Sequence, residues 1–227
     1  MNKLEIIKTV ENFVSQLLEK EGSGHDWWHI HRVRNMSLMI AKKEGADPFI
    51  VELSALLHDV IDDKLSDSIK MKPEDVEQLL EDLQVENVHI KEIIRIITSI
   101  SFRKRMEVPL KTLEAKVVQD ADRLDAIGAI GIARTFTYAG SKGHLIYEPK
   151  DFSYKPNDKK SGSAIDHFYE KLLNLKNLMN TSTAKEMAEE RHRLMEDYLK
   201  NFYHEWNVSG TKAQAPWSAP TSIRRFK

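Results

Sequence analysis

Cysteine is absent from the 227 residues. Its absence excludes a disulfide framework, a thiolate metal site and a thiol nucleophile, so any metal must be held by histidine, carboxylate, carbonyl or water. It also fits a reducing compartment. Charge of one sign is not in excess either: 34 basic residues against 35 acidic ones leave a formal net charge of −1. Such a balance gives no long-range attraction to nucleic acid or to an anionic membrane, and neither is expected as a partner. Uninterrupted apolar runs of about 18 residues are missing, so no membrane-spanning helix is expected. At the N-terminus Glu5, Lys8 and Glu11 break any apolar stretch that would serve as a secretory signal. The expected location is the cytoplasm. Alternating apolar–polar segments long enough for a sheet are lacking, as are internal repeats.

Helical periodicity is what remains, and it runs through most of the chain. Leu4, Ile7, Val10, Val14 and Leu17 recur at three- and four-residue steps and mark one apolar stripe. Glu21 to Gly24 interrupts it, and a second helix is expected from about His25 or Asp26 to Glu44, stopped by Gly45. Asp47 can cap and Pro48 suits a first helical position, so a third helix, rich in Leu and Ala, should run through Val60. Short helices are expected from Pro73 to Leu83 and from Asn87 to Ile100. A long one is expected from Leu113 to Thr137, and two more over 163–179 and 183–206. Residues 138–160, with Gly, Pro, Ser and Asp, read as an ordered loop or lid. The fold class is therefore all-α: one helical domain over 1–206, followed by a flexible C-terminal tail over 207–227.

Three short segments break this apolar pattern with metal-ligand side chains: His25 to His29, His58 to Asp63, and Asp120 to Asp125. His58 and Asp59 follow directly on Ala55-Leu56-Leu57. An unpaired carboxylate buried at the end of so apolar a helix would cost several kcal/mol, and a divalent cation satisfies it and the imidazole together. Asp120 stands about 200° around a helix from Asp122 and is left out of the ligand set. Asp125, three residues beyond Asp122, shares its face and is either a partner that orients a ligand histidine or a solvated group. His89, beside an apolar stripe, reads as structural.

The order His, then His-Asp, then Asp resembles the HD-domain phosphohydrolase superfamily. The resemblance covers roughly residues 1–206, including the stretch from His167 to Leu172, and is strongest for the small bacterial HD hydrolases. It implies an HD-domain helical bundle with a central metal site, in which His29, His58, Asp59 and Asp122 hold one divalent metal. The run from His58 to Asp63 is also similar to that of guanosine tetraphosphate hydrolases, which gives Asp62 and Asp63 a part in activating water. His167 resembles a recurring position of the nearest group.

Two imidazoles and two carboxylates suit Mn²⁺, the favoured ion, and also Fe²⁺, Co²⁺, Ni²⁺ or Zn²⁺. Mg²⁺, which prefers oxygen ligands, fits less well. Only His89 lies between the His-Asp pair and Asp122, so a second metal held by two histidines is not expected. Lys64, Arg123 and Lys171 are candidate cations for the substrate's leaving group, with Arg134 behind them. By resemblance the substrate is a nucleotide, best a nucleoside or deoxynucleoside triphosphate losing pyrophosphate. Another nucleotide phosphatase, a guanosine tetraphosphate-type hydrolase and a metal-binding sensor without turnover are the alternatives. A homodimer is left open.

Overall fold

The computed structural model describes residues 1–19, 26–62, 65, 69–100, 110–149 and 162–206. Asp63, Lys64, His25, residues 150–160 of the segment expected as a lid and the expected tail over 207–227 lie outside the described residues. Helices account for nearly all regular structure, and no strand occurs among the described residues.

Side chains at the helix starts explain most of the boundaries. Asn2 and Glu5 form a reciprocal capping box at the start of α1 (Lys3–Leu17). Asp26 accepts from the His29 N–H and starts α2 (Trp27–Glu44), which Gly45 ends in the left-handed region at φ 83°. Asp47 caps α3 (Pro48–Leu57) through the N–H groups of Phe49 and Ile50. After α4 (Pro73–Asp82) and α5 (Asn87–Ser99), Thr112 caps α6 (Leu113–Asp125). Then come α7 (Gly128–Ser141), the short α8 (Ala164–Glu170), a 3-10 segment (Leu172–Leu178) and the long α9 (Ser182–Trp206).

α3 lies between two apolar cores. Its Val51 and Ala55 belong to a core shared with α2, α6 and α9, while Phe49, Leu53, Leu56 and Leu57 belong to one shared with α1, α4 and α5. With both faces buried, α3 is apolar nearly all round, as such a position requires. Its one acidic side chain, Glu52, accepts from Arg34 Nε at 2.8 Å, and Arg34 Nη1 reaches Glu11 at 2.8 Å. One guanidinium thus joins α1, α2 and α3. α2 packs mainly on α3 and α6, which brings the three metal-ligand segments into one region.

The expected helix over 113–137 is two helices. The first ends as Ala126 and Ile127 turn tightly onto the carbonyls of Arg123 and Leu124, and Ile127 is extended at ψ 168°. Gly128 then takes φ +75°, a conformation that L side chains resist, and a Cβ there would stand 2.9 Å from Arg191 Cγ. The second helix continues to Ser141, into the segment expected as loop. The expected helix over 163–179 is also divided, since Lys171 leaves helical geometry at φ −132° and the chain continues as 3-10 turns. α3 stops at Leu57 rather than running through Val60, so His58 and Asp59 lie just past its last turn.

Gly128→Ala should destabilise the fold by about 1–3 kcal/mol, from the positive φ and from displacement of Arg191. Urea unfolding of the two proteins would measure this, and a loss below about 0.5 kcal/mol would contradict the assignment.

Candidate metal and active site

His29 is fully buried on the first turn of α2. Its ring nitrogens have separate roles. Nδ1 lies 2.7 Å from Asp125 Oδ2, and Nε2 lies 3.2 Å from Asp59 Oδ2 and 3.5 Å from Asp122 Oδ1. His58, 5% exposed, is held in a similar way: its Nδ1 lies 2.8 Å from the Ala55 carbonyl oxygen. A carbonyl only accepts, so Nδ1 carries the proton and Nε2 presents its lone pair. His58 Nε2 is buried without a hydrogen-bond partner, 3.4 Å from Asp59 Oδ1 and 4.0 Å from Asp122 Oδ1.

A bare imidazole lone pair pointed at two carboxylates is repulsive unless a cation stands among them. Donor atoms of His29, His58 and Asp59 all lie within 4.8 Å of one another and could hold a metal ion. Separations of 3.2–4.0 Å between the nitrogens and the Asp59 and Asp122 oxygens are those of ligands sharing one ion at about 2.0–2.2 Å. α2 contributes His29, the end of α3 contributes His58 and Asp59, and α6 brings Asp122 beside them. The structure therefore fits a divalent cation at this point.

Asp125 supports the arrangement from behind. It is 5% exposed, and besides His29 it accepts from Arg32 Nε at 2.7 Å, Arg32 Nη2 at 3.0 Å and Arg134 Nη1 at 2.6 Å. Burial alone would raise its pKa. The hydrogen bonds from His29 and Arg32, followed by the nearby positive charges, outweigh burial and hold the carboxyl well below the usual carboxylate range. Burial likewise opposes a charge on His29, but its bonds to Asp125 and Asp59 reverse the sign and lift it to about 9. In the metal-free protein a proton thus does part of the metal's work.

The remaining expected residues are dispersed. Asp62 is half-buried just past the His-Asp pair, and its N–H donates to the Asp59 carbonyl at 2.9 Å in a tight turn rather than a continued helix. Arg123, 6% exposed, is buried, and its guanidinium donates to the Leu178 carbonyl and so braces the 3-10 segment. His167 and Lys171 stand one turn apart at the end of α8, with the Lys171 N–H bonded to the His167 carbonyl at 3.0 Å. Burial, followed by the charge of Lys171, pushes His167 down to about 4, leaving it neutral at pH 7. Asp120, set apart by helix angle, is wholly buried and accepts from the backbone N–H groups of Asn180 and Thr181 at 2.9 and 2.8 Å. Arg32 was missed. It carries the i+3 signal from His29, which marks a shared helix face.

An HD domain model matches residues 27–127. The YpgQ protein of Bacillus subtilis is 43% identical over 94% of this chain and 99% of its own length. The chain belongs to the HD-domain family. Solved structures agree. YpgQ in complex with ADP superposes with a TM-score of 0.74, covering 90% of this chain and 98% of that one. An HD-superfamily hydrolase from Bacillus thuringiensis, 47% identical, gives a TM-score of 0.74 over 92% of this chain and 100% of the other. This HD protein is a metal-dependent phosphohydrolase. Among its described residues no helix is long and apolar enough to cross a membrane.

Two outcomes test the geometry. Asp125→Asn should weaken divalent-metal affinity about 10–100-fold, measured by titration calorimetry, because an uncharged amide with one accepting oxygen cannot hold His29 and both arginines as the carboxylate does. The second concerns pH. The His29 pKa is raised from 6.5 to about 9 in the metal-free protein, so the stability it contributes is complete below pH 6.5 and is lost as pH climbs through 9. Chelator-treated protein should lose up to ~3 kcal/mol over that interval, and metal affinity should rise across it as Nε2 sheds its proton. Flat unfolding curves over that range would contradict the assigned proton.

Proposed function

We propose that this HD hydrolase acts on nucleotides, best nucleoside or deoxynucleoside triphosphates, and releases pyrophosphate. The observation that carries the nucleotide reading is that YpgQ, 43% identical, was solved in complex with ADP. His29, His58, Asp59 and Asp122 are the assigned ligands of one divalent ion, with Mn²⁺ favoured for a donor set of two imidazoles and two carboxylates. Support comes from the buried, partnerless His58 Nε2 and the spacing of the donor atoms around it. A bound ion supplies positive charge at a phosphate oxygen and lowers the pKa of an attached water.

The protein's own groups do the rest. Ala55 and Asp125 fix the two imidazole rings from behind, so that both Nε2 atoms face the same point. Asp62, held beside Asp59 by its N–H, is assigned to orienting the attacking water and accepting its proton, with Asp63 next to it in sequence. Lys64, Lys171 and a neutral His167 are assigned to the phosphate oxygens. Arg123 is assigned behind them, its guanidinium bonded to the Leu178 carbonyl.

A second reading has a specific observation behind it. The ligand in the YpgQ structure is a nucleoside diphosphate, which suits a phosphatase releasing orthophosphate equally well. Hydrolysis of a nucleotide panel by metal-stripped protein with Mn²⁺ restored separates the two, with pyrophosphate and orthophosphate quantified independently. Pyrophosphate from triphosphates is the expected product, and orthophosphate alone would replace the first reading with the second. Asp59→Ala should abolish both metal retention and turnover. Asp62→Ala should keep the metal and lose about 10²–10⁴-fold in kcat, the range for a general base. Full activity in Asp62→Ala would remove it from the mechanism.

A further inference from the structure

Asp125 has more cationic partners than its task requires. His29 alone would give a ligand-orienting carboxylate its function, and one arginine would complete its hydrogen bonding. Two arginines are bonded to it, and the half-buried guanidinium of Arg191, bonded at 2.5 Å to the carbonyl of the adjacent Leu124, lies within electrostatic reach. Asp26 also acts on Arg32 and Glu190 on Arg191, so what singles out this cluster, set beside a site that takes a divalent cation, is the geometry it offers an arriving anion.

Arg32 is the member of this group built to meet that anion. It engages Asp125 through Nε at 2.7 Å and Nη2 at 3.0 Å, two contacts that fix the plane of the guanidinium. Nη1 and its two N–H donors have no partner among the described residues. The side chain is 34% exposed, whereas the carboxylate holding it is 7% exposed, so one edge of the guanidinium is anchored in the core and the other is open. Arg32 also follows His29 by three residues on α2, which places it one turn along the same face as a histidine of the metal cluster. A pre-oriented guanidinium with an uncommitted edge is matched to phosphate oxygens.

We propose that Arg32 binds a phosphate group of the substrate, with Asp125 as the splint that couples its position to that of His29. The assignment rests on the phosphohydrolase reading but not on the choice of nucleotide or leaving group. Arg134, on the same Asp125 oxygen as His29, sets the second positive charge beside this subsite.

The test uses Mn²⁺-loaded full-length protein, Arg32→Gln and Arg32→Lys, with circular dichroism to confirm folding of each variant. Calorimetry would measure binding of ADP and, separately, of inorganic pyrophosphate, while Mn²⁺ affinity is measured on the stripped proteins. Arg32→Gln should weaken both anions at least 10-fold, raise KM for any hydrolysed nucleotide in parallel, and change Mn²⁺ affinity less than 3-fold. Arg32→Lys should not restore tight binding, because an ammonium cannot hold Asp125 with one edge and phosphate with the other. Unchanged anion affinity in Arg32→Gln would overturn the proposal. So would a loss confined to Mn²⁺ affinity, which would make Arg32 a brace for Asp125 only. If wild type hydrolyses no nucleotide yet binds pyrophosphate through Arg32, the nucleotide reading fails and this assignment stands.

Discussion

The hydrogen bond between Asp125 and His29 is the contact on which the site depends. An imidazole in an apolar helical core has two nitrogens to satisfy, and the partner of one decides what the other offers. With Nδ1 committed to Asp125, His29 turns Nε2 toward Asp59 and Asp122. The Ala55 carbonyl does the same for His58. Two imidazole nitrogens and two carboxylates then converge on one point. The arrangement is unfavourable until a cation occupies it, and in its absence His29 takes up a proton instead.

α6 organises this region because its polar side chains are distributed by helix angle. Asp120 faces the turn before α9 and ties down Asn180 and Thr181. Asp122 turns toward the histidines, Arg123 toward the Leu178 carbonyl, and Asp125 back toward α2. The four residues are close in sequence but have different duties, and only Asp122 is assigned to ligate. The arginines on Asp125 extend the same logic, since a carboxylate that positions a ligand can also position the cations that meet substrate.

The all-α architecture and the grouping of His29, His58 and Asp59 were readable from periodicity and motif order. Asp47 announced where α3 begins, because its side chain acts on N–H groups two and three residues away. The helix breaks were less legible. The break before Gly128 depends on Arg191, a residue 63 positions later that lies over the glycine. The bend at Lys171 carries no proline or glycine to mark it. The bond from Arg123 to the Leu178 carbonyl was not legible either, because its partner lies 55 positions later in the chain.

The sequence by itself determined which residues have metal chemistry to offer, the helical fold that carries them and the family to which the chain belongs. Those features are local: a period of 3.6 residues, a cap, an ordered set of ligand-type side chains. Only the tertiary structure decided that Asp125 holds His29, that Arg32 and Arg134 share that carboxylate, that Asp120 ties down Asn180 and Thr181, and that Arg123 meets the Leu178 carbonyl. Each of those assignments depends on a partner far away in the chain, and which partner a polar side chain finds is settled only when helices pack and every buried donor and acceptor must be matched.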